Sequence, residues 1–132
     1  MTEFFNDTFL DQLLEQAQAS PRLRMGHDLR NSADDQSQRM FNALIPGTEV
    51  PIHRHPTSNE TVVILRGRLT EVYYDEKGNE TKRYELDPQA GNLGMSIPAG
   101  QWHTVEVHEP TVILEMKNGA DAPVAEADVI KR

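Results

Sequence analysis

The chain has 132 residues, of which 37% are hydrophobic and 26% are charged, which fits one soluble globular domain. Its formal net charge of −8 argues against nucleic acids and anionic membrane surfaces as partners, because both are polyanions that select basic patches. The absence of cysteine excludes disulfides, thiolate metal sites and cysteine nucleophiles.

Residues 7–20 are predicted to form a short amphipathic helix. Its apolar residues recur at the spacing of one helical face, namely at Leu10, Leu13, Leu14 and Ala17. Asn6 or Asp7 can cap its start, and Pro21 ends it, because the residue before a proline is pushed out of the α region. We expect the segment 1–20 to pack on the outside of the main body or against a second subunit.

From residue 22 onward the sequence changes to short strands separated by turns rich in Gly, Pro, Asn and Asp. The predicted strands span residues 22–30, 38–45, 49–55, 60–66, 68–75, 80–86, 93–97, 102–108 and 111–117. Many short strands with one helix are typical of a β-sandwich or barrel, so we expect one barrel domain over residues 21–117. The small, polar segment 118–132 is expected to be a loose extension.

No apolar run approaches the roughly 20 residues that cross a bilayer. The N-terminal residues 1–12 are acidic and lack both the basic region and the cleavage site of a signal peptide. We therefore expect a cytoplasmic protein without a membrane partner.

His53 and His55 are two positions apart, so in a strand both side chains point to the same face. Two imidazoles at this spacing can converge on one metal ion. Glu60 follows a predicted turn and opens the next strand, where it can face the same point. A carboxylate beside two imidazoles suits Fe(II), Mn, Ni, Co or Zn, although two histidines at this spacing also occur by chance in surface loops.

His103 follows a tight Pro98-x-Gly100 turn and begins a strand whose same face carries Val105 and Val107. On this apolar face it is either a core histidine or a fourth metal ligand. We favour the ligand, because the chain already offers three others.

These two runs resemble the paired motifs of the cupin superfamily. The motif G(x)5HxH(x)4E(x)6G is matched at every listed position by Gly47, His53, His55, Glu60 and Gly67, and the motif PxGxxH is matched by Pro98, Gly100 and His103. Asn92 stands where a glycine is expected before the second motif, and Val107 where an asparagine is expected after it, but that asparagine is not a ligand in cupins.

The resemblance implies an all-β double-stranded β-helix, a jelly-roll barrel, with one short N-terminal helix. It also implies one divalent metal ion per chain, Fe, Mn, Ni or Zn, ligated inside the barrel by His53, His55, Glu60 and His103. Because cupins commonly pair through strand or barrel faces, it further implies a homodimer.

A narrower resemblance, covering roughly residues 8–117, is to the WbuC family of cupin-fold metalloproteins. It is carried by SPRLR at 20–24, QRMFNAL at 38–44, HRHP at 53–56, LRGR at 65–68 and IPAGQWH at 97–103. That family is associated with bacterial surface-polysaccharide gene clusters, which implies a role in polysaccharide biosynthesis.

Six further residues are predicted to contact a small-molecule ligand: Arg22, Arg24, Arg39, Asn42, Gln101 and Trp102. The planar guanidinium groups suit a carboxylate, phosphate or sulfate, so the ligand is expected to be anionic. The alternatives are that the arginines lie on a solvated face or pair with acidic residues, and that Trp102 only packs.

Three histidines and one glutamate leave open positions on a five- or six-coordinate metal, where it can polarise a carbonyl or hydroxyl, activate water or bind dioxygen. We expect isomerisation or epimerisation of a sugar-like substrate, with His27 or Tyr73 moving the proton. An Fe-dependent oxygenase and a non-catalytic, metal-dependent binding protein remain alternatives, since a fold does not determine a reaction.

Overall fold

The computed structural model describes residues 1–119 and 123–131. Within them, one α-helix, two short 3-10 helices at Pro88–Ala90 and Glu126–Asp128, and ten strands form in the following order. They are α1 (Asp7–Ala19), β1 (Arg24–Asp28), β2 (Ser37–Leu44), β3 (Ile52–His53), β4 (Glu60–Arg66), β5 (Leu69–Tyr74), β6 (Glu80–Leu86), β7 (Gly94–Ile97), β8 (Trp102–Val107), β9 (Thr111–Asn118) and β10 (Val129–Ile130).

Two five-stranded antiparallel sheets face each other as a jelly roll. The strand order is β1-β2-β9-β4-β7 in the first sheet and β10-β3-β8-β5-β6 in the second. The predicted fold class is therefore confirmed, with mostly β structure and one N-terminal helix. None of the helices in the described ranges has the length and hydropathy needed to cross a bilayer.

Between the sheets lies an apolar core built from alternate residues of the strands. Its buried members are Leu44, Val62, Ile64, Leu69, Leu86, Ile97 and Ile113. This core fills one part of the barrel, and the candidate site described below occupies the rest.

The helix α1 packs on the outer face of the first sheet. The side chain of Asn6 caps it by accepting a hydrogen bond from the backbone N–H of Phe9 at 3.0 Å. Leu13 and Ala17 are buried against Phe41 and Val112 of β2 and β9. The apolar helical stripe seen in the sequence is thus what attaches the helix to the sheet.

The glycine that ends the first cupin-like motif has a steric reason. Gly67 adopts a φ of +92° in the turn between β4 and β5. A Cβ at this position would collide with the carbonyl oxygen of Pro110 and with Thr111. Glycine is therefore required both for the left-handed backbone and for the close approach of the next turn.

The structure differs from the strand predictions mainly at β3, which has two residues rather than the predicted 49–55. Pro51 has no N–H to contribute to a ladder. The carbonyl oxygen of Val50 instead accepts a hydrogen bond from the hydroxyl of Thr104 at 2.6 Å. The start of the predicted strand is consequently an extended loop held by a side chain.

The C-terminal segment, expected to be loose, contains β10, which pairs with β3 through Val129 and Ile130. The backbone N–H of Arg54 donates to the carbonyl oxygen of Asp128 at 3.0 Å, and the Arg54 guanidinium donates to the Asp128 carboxylate at 2.8 Å. A two-residue strand leaves no periodic pattern in a sequence, so nothing in the sequence predicts this attachment. Residues 120–122 lie outside the described ranges.

Candidate functional site

A cavity of about 310 Å³ lies between the two sheets. Inward-facing side chains of β2, β4 and β9 form one wall, and those of β3, β5 and β8 form the other. Its lining includes the four predicted metal ligands, His53, His55, Glu60 and His103.

Three of these residues form a compact histidine cluster. His53 on β3 is paired in register with His103 on β8, and their ring centroids are 4.4 Å apart. His55 follows β3, with its ring centroid 5.2 Å from that of His53 and 5.9 Å from that of His103. One ring nitrogen from each histidine lies within 4.8 Å of the others, so the three imidazoles can converge on one ion.

Two backbone carbonyls orient the imidazoles of this cluster. The Nδ1 atom of His53 lies 2.9 Å from the carbonyl oxygen of Pro51, and the Nδ1 atom of His103 lies 2.9 Å from that of Gln101. A carbonyl oxygen only accepts hydrogen bonds, so each Nδ1 carries the proton. The Nε2 lone pair of each ring is thereby left for a metal, as in many known metal sites.

Glu60 supplies a carboxylate beside the histidines. It is the first residue of β4, and its Oε2 atom lies 3.0 Å from Nε2 of His55. Burial alone would raise its pKa, but the hydrogen bond from His55, with contributions from the surrounding histidines, brings the pKa below its ordinary value. Glu60 is therefore ionised, as a metal ligand must be.

Burial favours the neutral form of His53 and His103. It lowers the pKa of His53 to about 4, with a further contribution from the charge of His103. It also lowers the pKa of His103. Neutral imidazole is the form that binds a metal, so this set of three nitrogens and one carboxylate fits a divalent ion such as Fe, Mn, Ni or Zn.

Two of the residues predicted to contact a ligand line the cavity. The guanidinium of Arg24 donates to the carbonyl oxygen of Glu49 at 2.6 Å. The side-chain amide of Asn42 donates to the carboxylate of Glu115 at 2.7 Å. Both keep polar atoms beside the space that a ligand would fill.

The other two arginines lie outside this cavity. Arg22 is exposed in the turn before β1, where its carbonyl oxygen accepts from Thr48 at 2.7 Å. The guanidinium of Arg39 donates to the carbonyl oxygen of Ser37 at 2.6 Å and to the carboxylate of Asp35 at 3.3 Å. Arg39 is therefore paired with an acidic residue, which is one of the alternatives stated above for the arginines.

Gln101 and Trp102 also lie outside the cavity lining. Trp102 directly precedes His103, so strand alternation points it to the opposite face of β8. There it packs with other buried residues, under the guanidinium of Arg54 at 4.6 Å from the ring centroid. The side-chain amide of Gln101 donates to two backbone carbonyls, those of Tyr74 and Trp102.

The structure does not place His27 at the histidine cluster. It lies on the outer face of β1, in edge contact with Phe9 at a centroid distance of 5.1 Å. Its Nε2 atom is 3.0 Å from the carboxylate of Glu3. Because alternate residues of β1 face opposite ways, Arg24 faces the cavity and His27 faces the helix.

Tyr73 is level with His103 in the ladder between β5 and β8, but it packs against Tyr84, with ring centroids 5.2 Å apart. It is not among the residues that line the cavity. Burial raises the pKa of Tyr73 to about 12. Tyr73 thus shares the inward face of the second sheet with His103 but packs toward the apolar core, whereas His27 lies on the outer face of the first sheet, where it cannot move a proton within the cavity.

Three charged residues that the sequence prediction missed line the cavity: Glu71, Glu115 and Lys117. The available signal was strand alternation, since Leu69 and Glu71 share the inward face of β5, and Ile113, Glu115 and Lys117 share that of β9. The Nζ atom of Lys117 lies 3.4 Å from Nδ1 of His55. A positive charge therefore stands directly beside the histidine cluster.

Comparison with known families gives one match, to the model described as "Domain of unknown function (DUF6016)", over residues 5–86. This segment is more than half of the chain and contains three of the four candidate ligands. No curated protein matches the chain.

The fold is similar to that of solved cupin-superfamily structures. The capsular polysaccharide assembling protein CapF from Staphylococcus aureus matches with a TM-score of 0.66 and 21% identity, covering 84% of this chain and 32% of CapF. A cupin superfamily protein from Desulfitobacterium hafniense matches with a TM-score of 0.58 and 17% identity, covering 74% of this chain and 78% of that protein. KdgF from Halomonas sp. matches with a TM-score of 0.59 and 12% identity, covering 77% of this chain and 84% of KdgF.

These likenesses establish the cupin fold that the sequence motifs predict. The chain spans about a third of the length of CapF, so it corresponds to one part of that larger protein.

Proposed function

This chain belongs to the DUF6016 family, and we propose that it is a metal-dependent cupin enzyme acting on a small sugar-like or carboxylated molecule. The observation that carries this proposal is the cluster of His53, His55 and His103 inside a ligand-sized cavity. Two of its rings are already fixed in the tautomer that offers Nε2 to a metal.

In the proposed site, His53, His55, His103 and Glu60 hold one divalent ion. Such an ion polarises a carbonyl or hydroxyl group of a bound substrate and stabilises the negative charge that develops there. The protein's own contribution is to orient the imidazoles through the carbonyls of Pro51 and Gln101 and to keep them neutral by burial.

The size and lining of the cavity support a small polar substrate. A volume of about 310 Å³ lies at the lower end of the range of about 300–1,000 Å³ typical of small-molecule pockets. The lining combines apolar side chains with Arg24, Asn42, Glu115 and Lys117. This mixture suits a molecule of monosaccharide size with hydroxyl or carboxylate groups, and the reaction we favour is isomerisation or epimerisation.

We place this reaction in bacterial surface-polysaccharide metabolism. The support is the sequence resemblance to the WbuC family and the structural likeness to CapF, which is itself described as a capsular polysaccharide assembling protein. Membership of the WbuC family, a homodimeric state and a cytoplasmic location belong to the same proposal.

A non-catalytic binding protein is the second candidate. It is favoured by the position of His27 on the outer face of the first sheet, which removes one of the two proton-transfer groups named from the sequence. An iron-dependent oxygenase would use the same four ligands and would be distinguished by its metal.

Metal content tests the proposed site. Protein purified without a nickel column should carry about one equivalent of Fe, Mn, Ni or Zn, measured by elemental mass spectrometry. We expect His53→Ala to lose most of this metal, because it removes one of the three converging nitrogens, and one whose ring the carbonyl oxygen of Pro51 already orients.

The matched control is His27→Ala, which removes a histidine on the opposite face of the first sheet. It should keep the full metal content, and both variants should keep a β-rich circular dichroism spectrum. Equal metal content in wild type and His53→Ala would refute the site.

A further inference from the structure

Glu71 is a buried carboxyl group at an unusual place in the barrel. It lies in the middle of β5 and is only 2% exposed. Its ladder partners are Val105 of β8 and Tyr84 of β6. The next inward residue of the same strand, Leu69, belongs to the apolar core. Glu71 thus stands between the level of the histidine cluster and the closed, apolar part of the barrel.

The three carboxyl groups that line the cavity differ in their partners. Glu60 contacts His55, and Glu115 accepts from Asn42. The Oε2 atom of Glu71 is buried and has no hydrogen-bond partner among the described residues. A buried polar atom without a hydrogen-bond partner destabilises a fold, so an apolar residue would serve the fold better here.

The ionisation of Glu71 indicates which group it can bind. Burial, followed by the charges of Glu60 and Glu115, raises the pKa of Glu71 well above its ordinary value. Burial therefore favours the protonated form of this carboxyl group. A protonated carboxyl group offers one O–H donor and one C=O acceptor, which is the pairing that an alcohol hydroxyl needs.

We propose that Glu71, with the neighbouring Asn42–Glu115 pair, forms a hydroxyl-binding subsite of the cavity, and that the molecule bound there is a polyhydroxylated carboxylate. Lys117 stands beside the histidine cluster and Arg24 lines the cavity farther along β2, level with Leu44. Lys117 favours an anionic end group of the same molecule beside the histidine cluster, whereas Arg24 lies level with the opposite end of β2. The inference rests on the proposed function, since it assigns the anionic group to the metal end of the cavity.

A pair of six-carbon acids tests the subsite. D-gluconate and hexanoate carry the same carboxylate on chains of equal length, and only gluconate carries hydroxyl groups. We expect the metal-loaded wild type to bind gluconate at least about tenfold more tightly than hexanoate in isothermal titration calorimetry, because only gluconate carries hydroxyl groups that can form hydrogen bonds in the subsite.

Two variants of Glu71 distinguish the effect of its hydrogen bonds on binding from the effect of burying its side chain. Glu71→Leu should abolish the preference for gluconate and leave hexanoate binding unchanged or stronger, because it replaces the polar group with an apolar one. Glu71→Gln should retain most of the preference, because its amide keeps one donor direction and one acceptor. Both variants should keep the wild-type metal content.

The results distinguish this inference from the function on which it rests. A wild type without metal would overturn both. Normal metal content with equal affinities for the two acids, or a preference unchanged in Glu71→Leu, would overturn the subsite alone. Tighter binding of 6-aminohexanoate than of gluconate would also overturn it, since that result would show a subsite for a cation.

Discussion

Replacing Glu71 by glutamine should stabilise the metal-free protein, and the gain should grow as the pH rises above about 4.5, the ordinary pKa of a glutamate. The pKa of Glu71 is raised in the folded state, so over this range the unfolded chain releases its proton more readily than the folded chain. The contribution of Glu71 to the free energy of unfolding is therefore most favourable at low pH, where the group is protonated in both states. This contribution is lost as the pH rises. We expect a gain of about 2 kcal/mol near neutral pH.

Urea unfolding at several values between pH 4.5 and 8, in the presence of a chelator, measures this effect. Glu76→Gln is the matched control, because Glu76 is exposed in the turn after β5 and its substitution should change the free energy of unfolding little. A Glu71→Gln variant no more stable than wild type throughout this range would show that the carboxyl group is satisfied in the folded protein.

Acid should destabilise the metal-free protein through His53, with an effect opposite in sign to that of Glu71. The pKa of His53 is lowered from 6.5 to about 4 in the folded state, so the unfolded chain binds the extra proton first. The stability contributed by neutral His53 is fully present above about pH 6.5 and is lost as the pH falls toward 4. A shift of this size corresponds to about 3 kcal/mol.

The variant His53→Gln should therefore show a flatter decline of unfolding free energy between pH 6.5 and 4, measured by urea unfolding. Some decline should remain, because burial lowers the pKa of His103 in the same direction. His27→Gln, on the outer face of β1, should keep the wild-type slope. If His53→Gln keeps it too, His53 does not resist protonation in the folded protein.

The pH dependences of stability expected from Glu71 and from His53 have opposite signs. Both side chains line the same cavity. Burial lowers the pKa of His53 and raises the pKa of Glu71, because it disfavours the charged form of each group. In a domain whose apolar core already spans both sheets, such groups reduce stability, which is the pattern expected where residues serve binding or catalysis.

The four candidate metal ligands were the part of the site most accessible to sequence analysis, because their chemistry depends on local spacing. His53 and His55 share a strand face, and a short turn brings Glu60 back beside them. His103 was identified because it follows the Pro98-x-Gly100 turn and begins a strand. The structure brings these side chains together as the spacing implies.

The proton-transfer residues could not be identified in the same way. Whether His27 faces the cavity or the helix depends on which face of β1 the barrel covers, and the sequence of β1 carries no strong alternation to decide it. Glu71 was missed for the opposite reason. An acidic residue within a strand is usually taken as solvent-facing, whereas β5 is buried on both faces.

The attachment of β10 puts a short strand pairing that can open locally next to the histidine cluster. Val124 lines the main cavity, and the segment that follows it is held by the hydrogen bond from the backbone N–H of Arg54 to Asp128. An amide hydrogen in such a bond exchanges with deuterium only when the bond opens. Because Arg54 lies between His53 and His55, its exchange rate reports how often the pairing of β3 with β10 opens beside the histidine cluster.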